Sequence, residues 1–176
     1  MKAFAGTFHF VELNYFSEIF FPGNDRYAMT SHTTCIYLDN IGEYFSGLDQ
    51  KEGKRTYEFY RKKAIAMSRP LVREAELTET EFYAAMCILL WDVGHASWIP
   101  QRILDMGEAI IKNVVEELGR YYKETLKCEE YASRLGRLFS LIATNREAGN
   151  LLHEQYQLYK FFGIYKEDDL IMKVLA

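Results

Sequence analysis

The sequence is poor in cysteine and proline, and it contains no long hydrophobic run. It has three cysteines, Cys35, Cys87 and Cys128, and three prolines in 176 residues, and no CxxC pair occurs. Widely spaced cysteines argue against a zinc module and for a reducing compartment. The longest apolar run, Phe82 to Trp91, is far shorter than the about 20 residues that a bilayer-spanning helix needs. Because the N-terminus also lacks the features of a signal peptide, we expect a protein that is neither secreted nor inserted in a membrane.

The sequence also lacks the common motifs of catalysis and metal binding. No GxGxxG, Walker A, HExxH or GxSxG pattern occurs. None of the four histidines (His9, His32, His95 and His153) has a glutamate three residues before it. The inward-facing Glu-x-x-His pairs of a di-iron helical bundle are therefore missing. We expect no metal, no cofactor and no enzymatic activity.

The composition is sufficient for one ordinary hydrophobic core. Hydrophobic residues make up 49% of the chain and aromatic residues 15%, which excludes intrinsic disorder. The length predicts a single domain over residues 1–176. The formal net charge is −4, and an acidic chain is a poor candidate for binding DNA on its own.

Positive charge is concentrated in residues 51–76. This basic segment includes Lys54, Arg55, Arg61, Lys62, Lys63, Arg69 and Arg73. One interpretation is a phosphate-contacting patch or a nuclear import signal. The other is the solvated face of an amphipathic helix, because Tyr57, Tyr60, Ala64, Met67 and Leu71 recur between the charges at helical spacing. The regular apolar spacing favours the second interpretation.

The first half of the chain predicts a helix, a hairpin and a second helix. The aromatic-rich segment Phe4–Phe21 has helical spacing and is followed by Pro22-Gly23. Residues 26–38 favour short strands, with a turn at residues 30–32. Residues 39–53 predict a loop or short helix. The basic helix follows, and we expect it to kink or stop before Pro70 because a proline disfavours helical geometry in the preceding residue.

The second half predicts helices throughout. Thr78 and Glu81 have the spacing of a capping box at the start of a helix that runs to Asp92. A long amphipathic helix begins near Pro100, and another occupies residues 131–162. A short amphipathic segment covers Asp168–Leu175. The fold class is therefore all-α with one small β-hairpin.

Three passages in the second half resemble the ligand-binding domain of nuclear hormone receptors. They are LTETEFYAAMCILLWD (Leu77–Asp92), RLGRLFSLIATNREAGNLLHEQYQLYKFFG (Arg134–Gly163) and DDLIMKVL (Asp168–Leu175). Their order and spacing are similar to helices eight, ten and twelve of that fold. Within the family, the three passages resemble those of the nematode supplementary receptors, which are related to hepatocyte nuclear factor four. FVELNYF near the start, followed by a hairpin, resembles helix five and the β-turn.

Two parts of the family's usual architecture are not found in the sequence. One is the zinc-finger DNA-binding domain, and the other is the first three helices of the ligand-binding domain, since the chain begins near helix four or five. The resemblance therefore implies a truncated relative, a gene-model fragment or a receptor that has taken on another role. It implies a nuclear location, with the cytoplasm as the alternative.

The resemblance also implies site residues. Candidate ligand-binding residues are Met67, Leu152 and Gln155, with ordinary packing as the alternative. The activation helix would comprise Leu170, Ile171, Lys173, Val174 and Leu175. Lys173 stands where the family has an acidic residue that accepts backbone N–H bonds from a coactivator helix, and an ammonium group cannot accept them. We expect this tail to pack without recruiting ordinary leucine-motif coactivators.

Glu81 has two expected roles. It can cap its own helix, or it can form a structural ion pair with Arg134 or Arg146, and such pairs orient elements more than they add net stability.

Two functional hypotheses follow from the resemblance. The first is a transcriptional regulatory module that binds coregulators or other nuclear receptors, with an apolar or lipid molecule as an optional ligand. The second is a ligand-free helical dimerisation protein that titrates full-length receptors through Leu138, Leu141 and Asn145, unless these residues face the domain's own core. Both hypotheses predict a homo- or hetero-oligomer with no direct DNA binding and no membrane contact.

Overall fold

The chain divides into two compact units. The computed structural model describes residues 2–45, 50–92 and 99–164. The first unit comprises Met1–Glu74 and Ala143–Ala176, and the second comprises Ala75–Ile142.

The first unit begins with a helix and a hairpin. Helix α1 (Lys2–Phe20) ends just before Pro22-Gly23, as the sequence predicts. Strands β1 (Tyr27–Met29) and β2 (Cys35–Tyr37) pair antiparallel, with Ala28 opposite Ile36. In the turn between them, Thr30 and Ser31 bond the Thr34 hydroxyl at 2.8 and 2.7 Å, so short polar side chains close the hairpin. A 3₁₀ stretch (Leu38–Tyr44) follows.

The basic segment forms a helical stretch that changes its winding twice. Helix α2 (Gln50–Thr56) passes into a π-helical segment (Tyr57–Arg61) and then into helix α3 (Lys62–Ala75). The predicted stop before Pro70 is wrong, because Pro70 lies inside α3. A proline removes one helical hydrogen bond. The residues before it are held by other partners: Ser68 contacts Asn145 at 2.6 Å, and Arg69 donates to the Tyr27 carbonyl at 2.7 Å. Tertiary bonds therefore outweigh the local preference.

The core of the first unit joins α1, the hairpin, the basic stretch and the end of helix α6 (Ala132–Phe161), which belongs to this unit from Ala143 onward. Its buried members are Phe10, Ala28, Ile36, Ile41, Phe45, Tyr57, Ala64, Ile65, Ala148, Leu152, Tyr156 and Tyr159. Gly149 marks a close approach of α6 to α1, since a Cβ at this position would overlap the Thr7 hydroxyl.

The second unit contains helix α4 (Glu79–Trp91), helix α5 (Gln101–Glu124) and the start of α6. The predicted capping box is confirmed, because the Thr78 and Glu81 side chains each accept from the other residue's backbone N–H. Helices α4 and α5 approach closely at Gly107, where an added Cβ would lie 3.0 Å from the Trp91 carbonyl oxygen. Over the described part of the chain, the predicted helical fold with one hairpin is confirmed.

The interpretation of the basic segment as a solvated face holds for only some of its residues. Lys54, Arg55, Lys62 and Lys63 are exposed. Arg69 is only 1% exposed, so for this residue the interpretation is wrong, and Arg61 and Arg73 are partly buried. Within the described ranges, no helix combines the length and the apolar character needed to cross a bilayer.

Candidate functional site

A cavity of about 160 Å³ lies inside the first unit. Its walls come from α1, the hairpin, the π-helical segment, α3 and the end of α6. The apolar lining residues include Phe10, Leu13, Met29, Ile36, Phe45 and Ile65. The polar lining residues are His9, Asn14, Ser17, Thr30, Tyr57, Arg61, Tyr156 and Tyr159. This mixture of apolar walls and a few polar groups is typical of small-molecule sites, although the volume is below their usual range.

Arg61 supplies the fixed charge of this cavity. It is the last residue of the π-helical segment, and short π-helical pieces occur often at functional sites. Its Nε donates to Gln155 Oε1 at 3.3 Å and its Nη2 to the Tyr156 hydroxyl at 2.9 Å. The guanidinium carbon also lies 5.9 Å from the centre of the Tyr156 ring. Neutral groups therefore hold this cation in place, because the described residues give it no ion pair with a carboxylate.

His9 is a second titratable group at the cavity. Burial lowers its pKa, and the positive charge of Arg61 lowers it further, against a smaller opposing effect of Glu12. The ring is therefore neutral near neutral pH, since the pKa of an unperturbed histidine is already about 6.5. It can donate or accept a hydrogen bond there without adding charge.

A larger groove of about 620 Å³ lies elsewhere on the first unit. Its lining includes Phe59, which is 65% exposed, and Phe162, together with Glu52, Arg55 and Glu58. Because both signs of charge and exposed rings line it, the groove is an open surface feature whose chemistry selects no ligand class. The smaller cavity is therefore the candidate site.

The second unit contains a buried ion pair between Glu81 and Arg134, whereas the partners of Arg61 are neutral. The Glu81 carboxylate is 1% exposed and receives Arg134 Nε at 2.6 Å and Nη2 at 2.7 Å. It also accepts from the Tyr122 hydroxyl at 3.0 Å and from the Thr78 backbone N–H at 2.8 Å. Arg134 further donates to the Glu76 carbonyl at 3.2 Å. Glu81 therefore combines both expected roles, the helix cap and the ion pair.

The hydrogen bonds around Glu81 determine the protonation states of this cluster. Burial alone raises the pKa of a carboxyl group, but the bonds from Arg134, Thr78 and Tyr122 outweigh it, so the pKa of Glu81 lies below its usual 4.5. Burial and the neighbouring carboxylate raise the pKa of the Tyr122 phenol. The cluster is thus a fully ionised pair with a neutral phenol at physiological pH.

Comparisons with known proteins assign the fold to a family. The model of the ligand-binding domain of nuclear hormone receptor matches residues 18–162, which is most of the chain. The chain therefore belongs to the nuclear hormone receptor ligand-binding domain family.

Two relatives in Caenorhabditis elegans agree with this assignment. Nuclear hormone receptor family member nhr-20 is 27% identical over 112 residues, which is 63% of this chain and 24% of the relative. Nuclear hormone receptor family member nhr-16 is 22% identical over 155 residues, which is 88% of this chain and 39% of the relative. The chain thus matches less than half the length of each receptor. The nematode type fits the resemblance, while a relation to hepatocyte nuclear factor four stays a prediction.

The ligand-binding residues predicted for this receptor domain lie around the cavity without lining it. Gln155 is fully buried, accepts from Arg61 and donates to the Tyr159 hydroxyl at 2.6 Å, and both partners line the cavity. Leu152 is buried in the same core as the lining residues. Met67 is partly buried and is not among the lining residues. Direct ligand contact by these three residues stays a prediction.

The predicted interface residues are buried within the single chain. Leu138, Leu141 and Asn145 are each 1% exposed, and the Asn145 Oδ1 contacts the Ser68 hydroxyl at 2.6 Å. This burial favours the alternative in which they face the domain's own core, and a dimer role stays a prediction. Arg146, the other expected partner of Glu81, is exposed. The activation-helix residues Leu170, Ile171, Lys173, Val174 and Leu175 lie outside the described residues.

Sequence reasoning missed Arg61, His9 and the tyrosine Tyr156. The apolar spacing of the basic segment predicts a solvated face, and Arg61 belongs to that segment. A signal was nevertheless present, since Arg61 stands four residues after Tyr57 and four before Ile65. A charge between two apolar residues on one helical face indicates a buried cation rather than a solvated one.

Proposed function

We propose that this chain is a transcriptional regulatory module that binds a small, largely apolar ligand in the cavity of its first unit and acts through protein partners. The observation that carries the proposal is the cavity of about 160 Å³ in a domain of the nuclear hormone receptor family. The partners would be coregulators or other nuclear receptors. The location would be nuclear or cytoplasmic.

The size of the cavity limits the ligand. An engineered apolar cavity of about 150 Å³ admits benzene. A compact molecule of that size can therefore be accommodated here, whereas a long-chain lipid cannot without a rearrangement. Members of this family are generally not enzymes, and the cavity offers recognition groups rather than a nucleophile paired with a base.

Calorimetric titration with benzamide tests the ligand-binding part of the proposal. Benzamide is neutral, compact and aromatic, so it probes the cavity without relying on charge. We expect saturable binding to the wild-type chain and its loss in Ala28→Leu, since Ala28 lines the cavity and a larger side chain fills it. Ala109→Leu is the matched control, because Ala109 is exposed on α5 and its enlargement leaves the cavity unchanged. Absent binding, or equal binding to both variants, would overturn this part.

Native mass spectrometry tests the same proposal without a chosen ligand. A small molecule bound at one copy per chain in material purified under gentle conditions would support it. An empty dimer would instead support the ligand-free dimerisation protein.

A further inference from the structure

A further cavity of about 230 Å³ lies in the first unit, where the two ends of the hairpin meet α3. Its charged lining residues are Asp25, Asp39, Lys62 and Arg69. Asp25 precedes β1, Asp39 follows β2, and the two cations lie on α3. The carboxylates balance the cations, so the lining has no net charge. Because a charged ligand would leave a surplus of one sign, this balance favours a neutral ligand.

Arg69 provides a buried donor that the described residues leave unused. The side chain is 1% exposed, and it donates from Nη1 to the Tyr27 carbonyl at 2.7 Å and from Nη2 to the Asn24 carbonyl at 3.1 Å. Its Nε has no hydrogen-bond acceptor in the described part of the chain. Asp25 Oδ1 lies 3.7 Å from Nε, which is too long for a hydrogen bond. Since an unpaired buried donor is costly, an acceptor atom that reaches Nε is strongly favoured.

The positive charge of Arg69 is already compensated. Asp25 lies at 3.7 Å, and Glu18 Oε2 lies 3.7 Å from Nη2. The Nε group therefore needs an acceptor atom and not a further negative charge. A hydroxyl oxygen is such an acceptor, and its own hydrogen can be donated to a neighbouring carboxylate.

The two carboxylates of the cavity have acceptor capacity left. Asp25 Oδ1 accepts from Arg73 Nη2 at 2.8 Å, and Asp39 Oδ2 accepts from the Tyr37 hydroxyl at 2.9 Å. A carboxylate has about four acceptor positions, so each of these groups can accept further bonds. Lys62 is exposed at the same cavity and offers donors. Donors and acceptors thus alternate around the cavity, an arrangement that hydroxyl groups match because each of them both donates and accepts.

We propose that this cavity binds a compact neutral polyol, a monosaccharide or a cyclitol, whose hydroxyl groups accept from Arg69 Nε and donate to Asp25 and Asp39. The apolar lining residues Leu38 and Ile65 would contact the C–H face of the ring. The volume of about 230 Å³ is below the range of drug-sized sites, which limits the ligand to a single ring. The inference concerns a different cavity and does not depend on the proposed function.

The experiment compares myo-inositol with cyclohexanol by saturation-transfer NMR titration of the full chain, in a buffer free of polyols. Both probes have the same carbon ring, which carries a hydroxyl on every carbon in myo-inositol and a single hydroxyl in cyclohexanol. We expect saturable binding of myo-inositol to the wild-type chain. We expect it to be at least about tenfold tighter than that of cyclohexanol, because a single hydroxyl cannot reach Arg69 and both carboxylates at once.

Two variants locate the binding in this cavity. Ala66→Leu places a larger side chain in the lining at an exposed position of α3 and abolishes the binding of myo-inositol. Ala109→Leu is its matched control, because Ala109 is exposed on α5. Asp39→Ala removes an acceptor and weakens the binding at least about fivefold. Glu43→Ala removes an exposed carboxylate from the same 3₁₀ stretch and leaves the binding unchanged.

Ala28→Leu separates the two cavities, since Ala28 lines only the cavity of the candidate site. Unchanged binding of myo-inositol in this variant supports the proposal, and its loss would overturn it. Absent binding to the wild-type chain would mean that solvent alone meets Arg69 Nε, and the proposal would fail. Equal binding of cyclohexanol, or tighter binding of the zwitterion alanine, would overturn the neutral polyol. If Ala66→Leu does not fold, Asp39→Ala and Glu43→Ala still decide the question, because both positions are exposed.

Discussion

Arg134 in the second unit and Arg61 in the first are both tightly held arginines, and they differ in the charge of their partners. Arg134 meets the Glu81 carboxylate with two bonds of 2.6 and 2.7 Å. Arg61 is held by an amide oxygen and a phenol, with the nearer bond at 2.9 Å. A cation neutralised inside the chain has a structural role, whereas the described residues leave the charge of Arg61 without a carboxylate partner. The difference therefore separates a cation paired with a carboxylate from one that the described residues hold through neutral groups.

The largest expected effect concerns the paired arginine. Arg134→Met removes the cation that pairs with the Glu81 carboxylate, which is 1% exposed in the folded chain. We expect the free energy of unfolding to fall by about 3 kcal/mol, because breaking a buried ion pair leaves an uncompensated charge. The measurement is urea denaturation at neutral pH. Arg137→Met is the control, since Arg137 is exposed one turn further along α6 and its removal should change stability by less than about 0.5 kcal/mol. Equal losses in the two variants would contradict a structural role for the pair.

A second prediction asks whether the first unit generally leaves its arginines without a carboxylate partner, as the described residues leave Arg61. Other arginines of this unit are paired: Arg73 Nε donates to Glu18 at 2.8 Å, and Arg69 lies 3.7 Å from the same carboxylate. We expect Glu18→Gln to lower the free energy of unfolding by about 1–2 kcal/mol, less than Arg134→Met, because Arg73 is 37% exposed. Asp25→Asn, at a carboxylate that is 63% exposed, should cost less than half as much. No loss in Glu18→Gln would indicate that the first unit pairs its cations weakly throughout.

The sequence predicts features that depend on neighbouring residues and misses those that depend on distant ones. The capping box needs only Thr78 and Glu81, and its spacing is readable along the chain. Arg61 and Gln155 are 94 residues apart, so no local pattern reveals that they meet. The same limit explains Pro70, whose helix continues because Ser68 and Arg69 bond distant segments.

A third prediction uses pH to distinguish the two arginine sites. The folded pKa of Glu81 lies below 4.5, so its stabilising contribution is complete above that pH and is lost as pH falls through the folded value. We expect the unfolding free energy of the wild-type chain to decrease between about pH 5 and about pH 3. In Glu81→Gln this decrease is smaller, whereas in Arg61→Met it is unchanged because no carboxylate is bonded to Arg61 among the described residues. Urea denaturation across this range measures it, and an unaltered decrease in Glu81→Gln would contradict the role of the pair.

The smallest expected effect is that of Arg61→Met on the free energy of unfolding of the ligand-free chain. This effect decides the comparison between the two arginines. The substitution removes a cation whose bonds go to neutral groups, and Gln155 keeps its 2.6 Å bond to Tyr159. The lost bonds are offset because a partly buried charge no longer has to be desolvated, and methionine retains the apolar length of the side chain. We therefore expect the free energy of unfolding to change by less than about 1 kcal/mol, a fraction of the loss in Arg134→Met. Parallel urea denaturation of the two methionine variants measures the difference.

A loss at Arg61 as large as that at Arg134 would mean that its neutral partners make it a structural residue. A small loss would mean that Arg61 contributes little to the stability of the fold.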